Sequence, residues 1–105
     1  MLRIYSFIIE TLRLLVGLFQ KIAREDSDLG RQLRRAASSV ALNVAEGMGV
    51  SGGNQKLRFR TALGSAREVG ACLDVAEALG YIDAVDASLR DRLDRITATL
   101  YRLSH

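Results

Sequence analysis

From Arg3 to Arg24 a polar or small residue recurs at every third or fourth position: Arg3, Ser6, Glu10, Arg13, Gly17, Lys21 and Arg24. On a helix these positions fall in one narrow stripe, and nearly everything around them is apolar. Tyr5, Ile8, Leu12, Leu15, Phe19 and Ile22 form a seam inside that apolar remainder. The pattern predicts a helix over 2–24 that is buried on more than one side, against a partner chain as well as an internal core. Glu25-Asp26-Ser27-Asp28 then breaks the periodicity and offers N-cap residues and negative charge to a second helix. That helix, over 28–47, carries Leu29, Leu33, Ala36, Val40 and Val44 on one face. Arg31, Arg34 and Ser38 point away from that face, and Arg35, Ser39, Asn43 and Glu46 run along its flank.

Gly47, Gly49, Gly52 and Gly53 end the second helix in a loop. Asn54 is placed to cap a third helix that runs to Leu79 and stops at Gly80. Its first stripe is Phe59, Ala62, Leu63, Ala66, Gly70 and Leu73. A second, heptad-like seam holds Leu57, Thr61, Glu68, Cys72, Val75 and Leu79, with a carboxylate in the middle of it. Asp83, with Asp86 three residues on, is placed to cap a fourth helix to Leu103, with Leu89, Leu93, Ile96, Leu100 and Leu103 as its seam and Asp91–Arg95 as an outward i,i+4 pair. Four amphipathic helices with short connections predict an all-α, antiparallel up-down four-helix bundle, formed as one domain over residues 1–105.

Composition sharpens this reading. Proline and tryptophan are absent, and 49% of the 105 residues are apolar, which favours long helices over a loop-rich or mainly β fold. A single cysteine, Cys72, rules out an intrachain disulfide and fits a reducing, cytoplasmic setting. Glu10 and Arg13 interrupt the apolar run near the start, so neither a signal peptide nor a membrane span is expected.

The net charge is only +3, but it is uneven: residues 1–60 carry ten basic and five acidic groups, and residues 61–105 carry five and seven. Arg31, Arg34 and Arg35 form the densest basic cluster, with Lys56, Arg58 and Arg60 following across the glycine loop. Arg31, Arg34, Lys56, Arg58 and Arg60 are the candidate nucleic-acid contacts, because phosphate binding needs several cations presented together. The same residues also read as a solvated helix face with salt bridges. Arg35, Ser39, Asn43, Glu46, Ser65 and Glu68 read as a structural polar network, since an inward-facing carboxylate needs donors and Arg35 and Asn43 are the nearest ones.

Catalytic and metal chemistry lack their residues. Bundle di-metal sites combine glutamates with Glu-x-x-His motifs, and His105, at the end of the chain, is the sole histidine. Ser39, Ser65 and Cys72 have no histidine base beside them in sequence, so no nucleophilic triad is assembled. The 47–53 glycines follow a helix rather than a strand and lack the Lys-Ser/Thr ending of a phosphate loop. No catalytic residue, cofactor or small-molecule substrate is expected.

Three blocks carry a family resemblance. Gln32-Leu33-Arg34-Arg35-Ala36-Ala37-Ser38-Ser39-Val40, continuing Asn43-Val44-Ala45-Glu46-Gly47-Met48-Gly49, is followed by Phe59-Arg60-Thr61-Ala62-Leu63-Gly64-Ser65-Ala66-Arg67-Glu68 and by Ala78-Leu79-Gly80-Tyr81-Ile82. In order and spacing they resemble the signature of the four-helix-bundle proteins encoded in bacterial 23S rRNA intervening sequences. The matching positions are Arg34, Arg35, Asn43, Glu46, Gly47, Gly64, Ser65 and Glu68. The resemblance implies an antiparallel bundle that assembles as a ring-like homopentamer. It also implies kinship with the accessory protein of diversity-generating retroelements, which binds nucleic acid and a reverse transcriptase. After Gly49, where the family usually continues with basic residues, this chain has Val50-Ser51-Gly52-Gly53.

The expected function is therefore a non-enzymatic homo-oligomeric scaffold for RNA, DNA or a nucleic-acid-handling protein. The alternatives are a purely structural protein–protein module and a bundle held at a membrane surface by its apolar first helix.

Overall fold

The computed structural model describes residues 3–105. Four helices follow one another: α1 (Arg3–Glu25), α2 (Ser27–Met48), α3 (Gly52–Ala78) and α4 (Ala87–Ser104). Cross-helix pairs run in opposite senses along α2 and α3 and along α3 and α4. Ser39 meets Ser65 and Glu46 meets Arg58 between α2 and α3. Asp74 meets Arg90, and Arg60 reaches Ser104, between α3 and α4. Phe7 and Thr11 of α1 both meet Arg92 of α4. The chain is an all-α bundle of four helices, and α2, α3 and α4 alternate in direction.

The expected first break shrinks to one residue. Asp26 takes an extended conformation, and its carboxylate accepts a hydrogen bond from the Leu29 backbone N–H at 2.9 Å, capping α2. A reversal this tight presses α1 onto α2. At Gly30, a Cβ atom would lie 2.7 Å from the Ala23 Cα and Cβ. Gly47, in the Glu-Gly motif, is needed for the same reason, since a Cβ there would lie 2.6 Å from the buried Phe59 ring of α3.

α3 begins two residues before the expected Asn54 cap. Gly52, at φ +65°, turns the chain into the helix, and Ser51 holds the N-cap position without a side-chain bond. The polar side chain that matters here is Gln55, whose amide donates to the Gly47 and Val50 carbonyls at 3.0 Å each. It thereby ties the start of α3 to the end of α2 and the loop between them.

The end of α3 follows the sequence closely. Gly80, at φ +76°, sits just past the last helical turn. The Tyr81 N–H bonds the Ala76 carbonyl and the Gly80 N–H bonds the Glu77 carbonyl, a Schellman closure. Tyr81 then donates its hydroxyl to Asp26 at 3.2 Å, and Ile82 is buried in the core. The Leu-Gly-Tyr-Ile motif thus ties the α3–α4 connection to the α1–α2 turn. Loss of hydration and the neighbouring Asp26 charge push the Tyr81 phenol up from its ordinary value.

Glu77 fastens the rest of that connection. Its carboxylate accepts from the Val85 N–H at 2.7 Å and from Arg90 at 3.0 Å, and these bonds, the backbone one foremost, hold its pKa below the usual glutamate value. A lowered folded-state pKa stabilises fully above the unfolded value, about 4.3, and that contribution disappears as pH falls through the folded value. Thermal melts from neutral pH downward should show the Glu77→Gln variant losing less stability below about pH 4.3 than the parent. Parallel melting curves would show that these bonds do not couple to folding.

The core collects the stripes expected of it. Ile8, Leu15, Phe19 and Ile22 of α1 face Leu33, Val40 and Val44 of α2, with Phe59, Leu63, Leu73, Leu93, Ile96 and Leu100 completing it. Thr11 lies in the α1 row and is fully buried. Its hydroxyl donates to the Phe7 carbonyl at 2.7 Å and accepts from Arg92 at 2.9 Å. Tyr5 and Leu12, expected in the seam, are only half-buried, because the axis of burial runs through Thr11.

Candidate functional site

Along the outer edge of α2 and α3 the expected polar network forms in part. Ser65 donates to the Ser39 hydroxyl at 2.8 Å, and the Asn43 amide donates to both the Ser39 hydroxyl at 3.0 Å and the Ser39 carbonyl at 2.9 Å. Glu46 pairs with Arg58 of α3 at 3.0 Å rather than with Arg35. The reason is geometric: Arg35 lies eleven residues earlier on the same helix, about 16 Å along its axis. The Ser39–Ser65 and Glu46–Arg58 register instead sets Arg35 level with Val69, beside Glu68. Both Arg35 and Glu68 are exposed, and neither has an ion pair or side-chain hydrogen bond among the described residues.

The candidate phosphate contacts do not make one patch. Arg58 lies level with Glu46, which puts Arg34 about 18 Å away along the bundle. Arg31 sits 4.0 Å from Asp28, Arg58 is held by Glu46, and Arg60 donates to the Ser104 carbonyl at 3.0 Å. All of them are exposed, and Arg34 and Lys56 have no ion pair among the described residues.

The second seam of α3 is the clearest feature of the surface. Leu57, Thr61, Gly64, Glu68, Ala71, Val75 and Leu79 follow at spacings of three and four, and all seven are exposed. Leu57 is 56% exposed, Val75 43% and Leu79 60%; on the neighbouring helix Leu42 is 63% exposed. Cys72, expected in this row, turns inward, and Ala71 takes its place. Burial, with the Glu68 charge added, pushes the Cys72 thiol up, so it is a poor nucleophile.

Two arrangements were not legible in the pattern. Arg92 of α4 clamps α1: beyond its bond to Thr11 it donates to the Phe7 carbonyl and to Glu10, both at 3.2 Å, and its guanidinium lies 3.9 Å from the Phe7 ring centroid. The expected Asp91–Arg95 pair does not form. Arg95 turns to the same ring, at 4.6 Å. The signal that could have found the first was Thr11, a hydroxyl in the middle of a buried row.

Among the described residues, no three or more His, Cys, Asp or Glu side chains gather as metal ligands, and no helix is long and apolar enough to cross a membrane. His105 stacks on Tyr101 at 4.1 Å and lies apart from the serine network.

Residues 2–102 match the model of a family described as 23S rRNA-intervening sequence protein. The fold is similar to a solved structure from Bacteroides thetaiotaomicron, described as a protein with unknown function from the S23 ribosomal protein family. The TM-score is 0.83 at 18% identity, over 96% of this chain and 97% of that one. No curated protein matches the chain.

Proposed function

Because the chain belongs to the 23S rRNA-intervening sequence protein family, we propose that it is a non-enzymatic scaffold that assembles with copies of itself and binds RNA. The observation that carries this reading is the uncovered α3 row from Leu57 to Leu79. A chain with large aliphatic side chains exposed in helical register has an unpartnered face, and burying such a face is favourable by roughly 25 cal/mol per Å². Gly64 and Ala71 in the middle of the row let a second helix approach closely, and Glu68 between them fixes its register at some cost in stability. The family resemblance adds the form of the assembly, a ring of five. Repetition around a ring brings the separated cations of one chain, Arg34 and Lys56 among them, near those of the next and raises the local positive potential.

Sedimentation equilibrium is expected to show a species several times 11.5 kDa at micromolar concentration. Val75→Lys with Leu79→Lys should return it to the single-chain mass with helix content retained. The parent should retain mixed RNA at about 50 mM salt and release it steeply as salt rises. Arg31→Ala with Arg34→Ala should weaken retention for all sequences alike. A parent that sediments as a single chain overturns the assembly, and one that assembles without retaining RNA is a protein-only scaffold.

A further inference from the structure

Beyond the Arg92 clamp, toward the start of α1 and the end of α4, the two helices part around a shallow cavity of about 380 Å³. Its walls are Arg3, Ile4 and Phe7 of α1 with Arg95 and Thr99 of α4. No carboxylate lines it, and neither Arg3 nor Arg95 has an ion pair or hydrogen bond among the described residues. Arg95 is nonetheless held in place. It forgoes Asp91 and lies over the Phe7 ring, where Arg92 lies as well. The Arg92 charge is answered by Glu10 at 3.2 Å; the Arg95 charge has no such partner.

Cations gathered in this way repel one another, and an anion placed between them turns the repulsion into attraction. Two further features favour that anion. Ile4 and Phe7 give the cavity apolar walls beside the cations, with no acidic group to compete for them. The Thr99 oxygen accepts from Arg102 at 3.3 Å, which leaves its own proton to donate.

We propose that this cavity binds a phosphate group, seated between the Arg3 and Arg95 guanidiniums with the Thr99 hydroxyl as a further donor. The planar guanidinium fork suits phosphate oxygens, and Arg95 arrives already oriented by Phe7. The ligand chemistry is a phosphate ester, which an RNA backbone and a free nucleotide both supply. Only the RNA source rests on the function proposed above.

The test titrates the parent and the Arg3→Gln/Arg95→Gln variant with adenosine monophosphate and, separately, with a labelled oligouridylate at about 50 mM salt. Adenosine monophosphate is expected to shift the Arg95 Nε–H resonance of the parent. The double variant should bind oligouridylate about tenfold more weakly, with a salt slope flatter by about 0.7 for the one phosphate lost. Arg3→Lys/Arg95→Lys should recover part of the affinity. Both side chains are exposed, so the melting temperature reports whether the variants stay folded. If the parent binds RNA, the double variant binds it equally, and Arg95 does not respond to adenosine monophosphate, the cavity is not the site and the RNA reading stands. If Arg95 responds but RNA is not retained, the cavity takes a free nucleotide and the RNA reading falls.

Discussion

Gly30→Val is expected to lower the melting temperature by at least about 10 °C, which corresponds to roughly 2–3 kcal/mol in a domain of this size. Two effects oppose each other at this position. Valine, like every residue except proline, gains helix propensity over glycine, by up to about 1 kcal/mol. Against that gain, the new Cβ would lie 2.7 Å from the Ala23 Cα and 3.1 Å from its backbone nitrogen. Backbone atoms cannot rotate away as a side-chain tip can, so α1 and α2 must separate, and overpacking of this kind costs about 1–3 kcal/mol before valine's two methyl groups are added. Gly17→Ala is the matched comparison. Gly17 is also in a helix, but nothing lies within 4 Å of its missing Cβ. That substitution should stabilise by up to about 1 kcal/mol. Two glycine substitutions of the same sign would refute the close-approach account.

Leu73→Ala is expected to cost about 2–5 kcal/mol, the range for deleting a fully buried leucine side chain. Leu73 is 0% exposed, inside the core where α3 faces its neighbours. Against a total stability of about 5–15 kcal/mol, the loss is large enough to leave some chains unfolded at physiological temperature. Leu57→Ala, on the exposed row of the same helix, should barely change the stability of a single chain and should weaken assembly instead. Urea titration and sedimentation on both variants separate the two roles. Equal urea midpoints would mean that the two faces of α3 are not distinct.

The helices themselves were legible because their punctuation is strong: the Glu25–Asp28 group of cap residues, of which Asp26 takes the role, Gly80 as a stop, and regular apolar rows between them. Membership of the serine–asparagine network was legible, since Ser39, Asn43 and Ser65 do meet, but the pairing of the charged residues was not. Arg58 took Glu46 from Arg35 because helix register, invisible in a linear reading, sets which residues of α2 and α3 stand level. Arg95 left Asp91 for the same reason, since Phe7 is 88 positions away in the chain and adjacent in space. Of the candidate contacts, exposure could be anticipated, but division into two separate groups could not. The glycine loop joins α2 and α3 at one end, whereas Arg31 and Arg34 lie far up α2 from it.

The Arg92 clamp has a consequence for the order in which the molecule forms. α1 with α2, α2 with α3, and α3 with α4 are each joined by a short connection, so three of the four seams close between sequence neighbours at small loop-closure entropy. The fourth brings together Thr11 and Arg92, which are 81 positions apart. Its closure waits on the other three, and it should be largely unformed when the rate-limiting barrier is crossed. Arg92→Ala should then leave the refolding rate nearly unchanged and speed unfolding, the signature of a contact made late. Opening in the native protein is expected to start at the same seam, with amide exchange fastest at the two outer ends of α1 and α4 and slowest in α2 and α3.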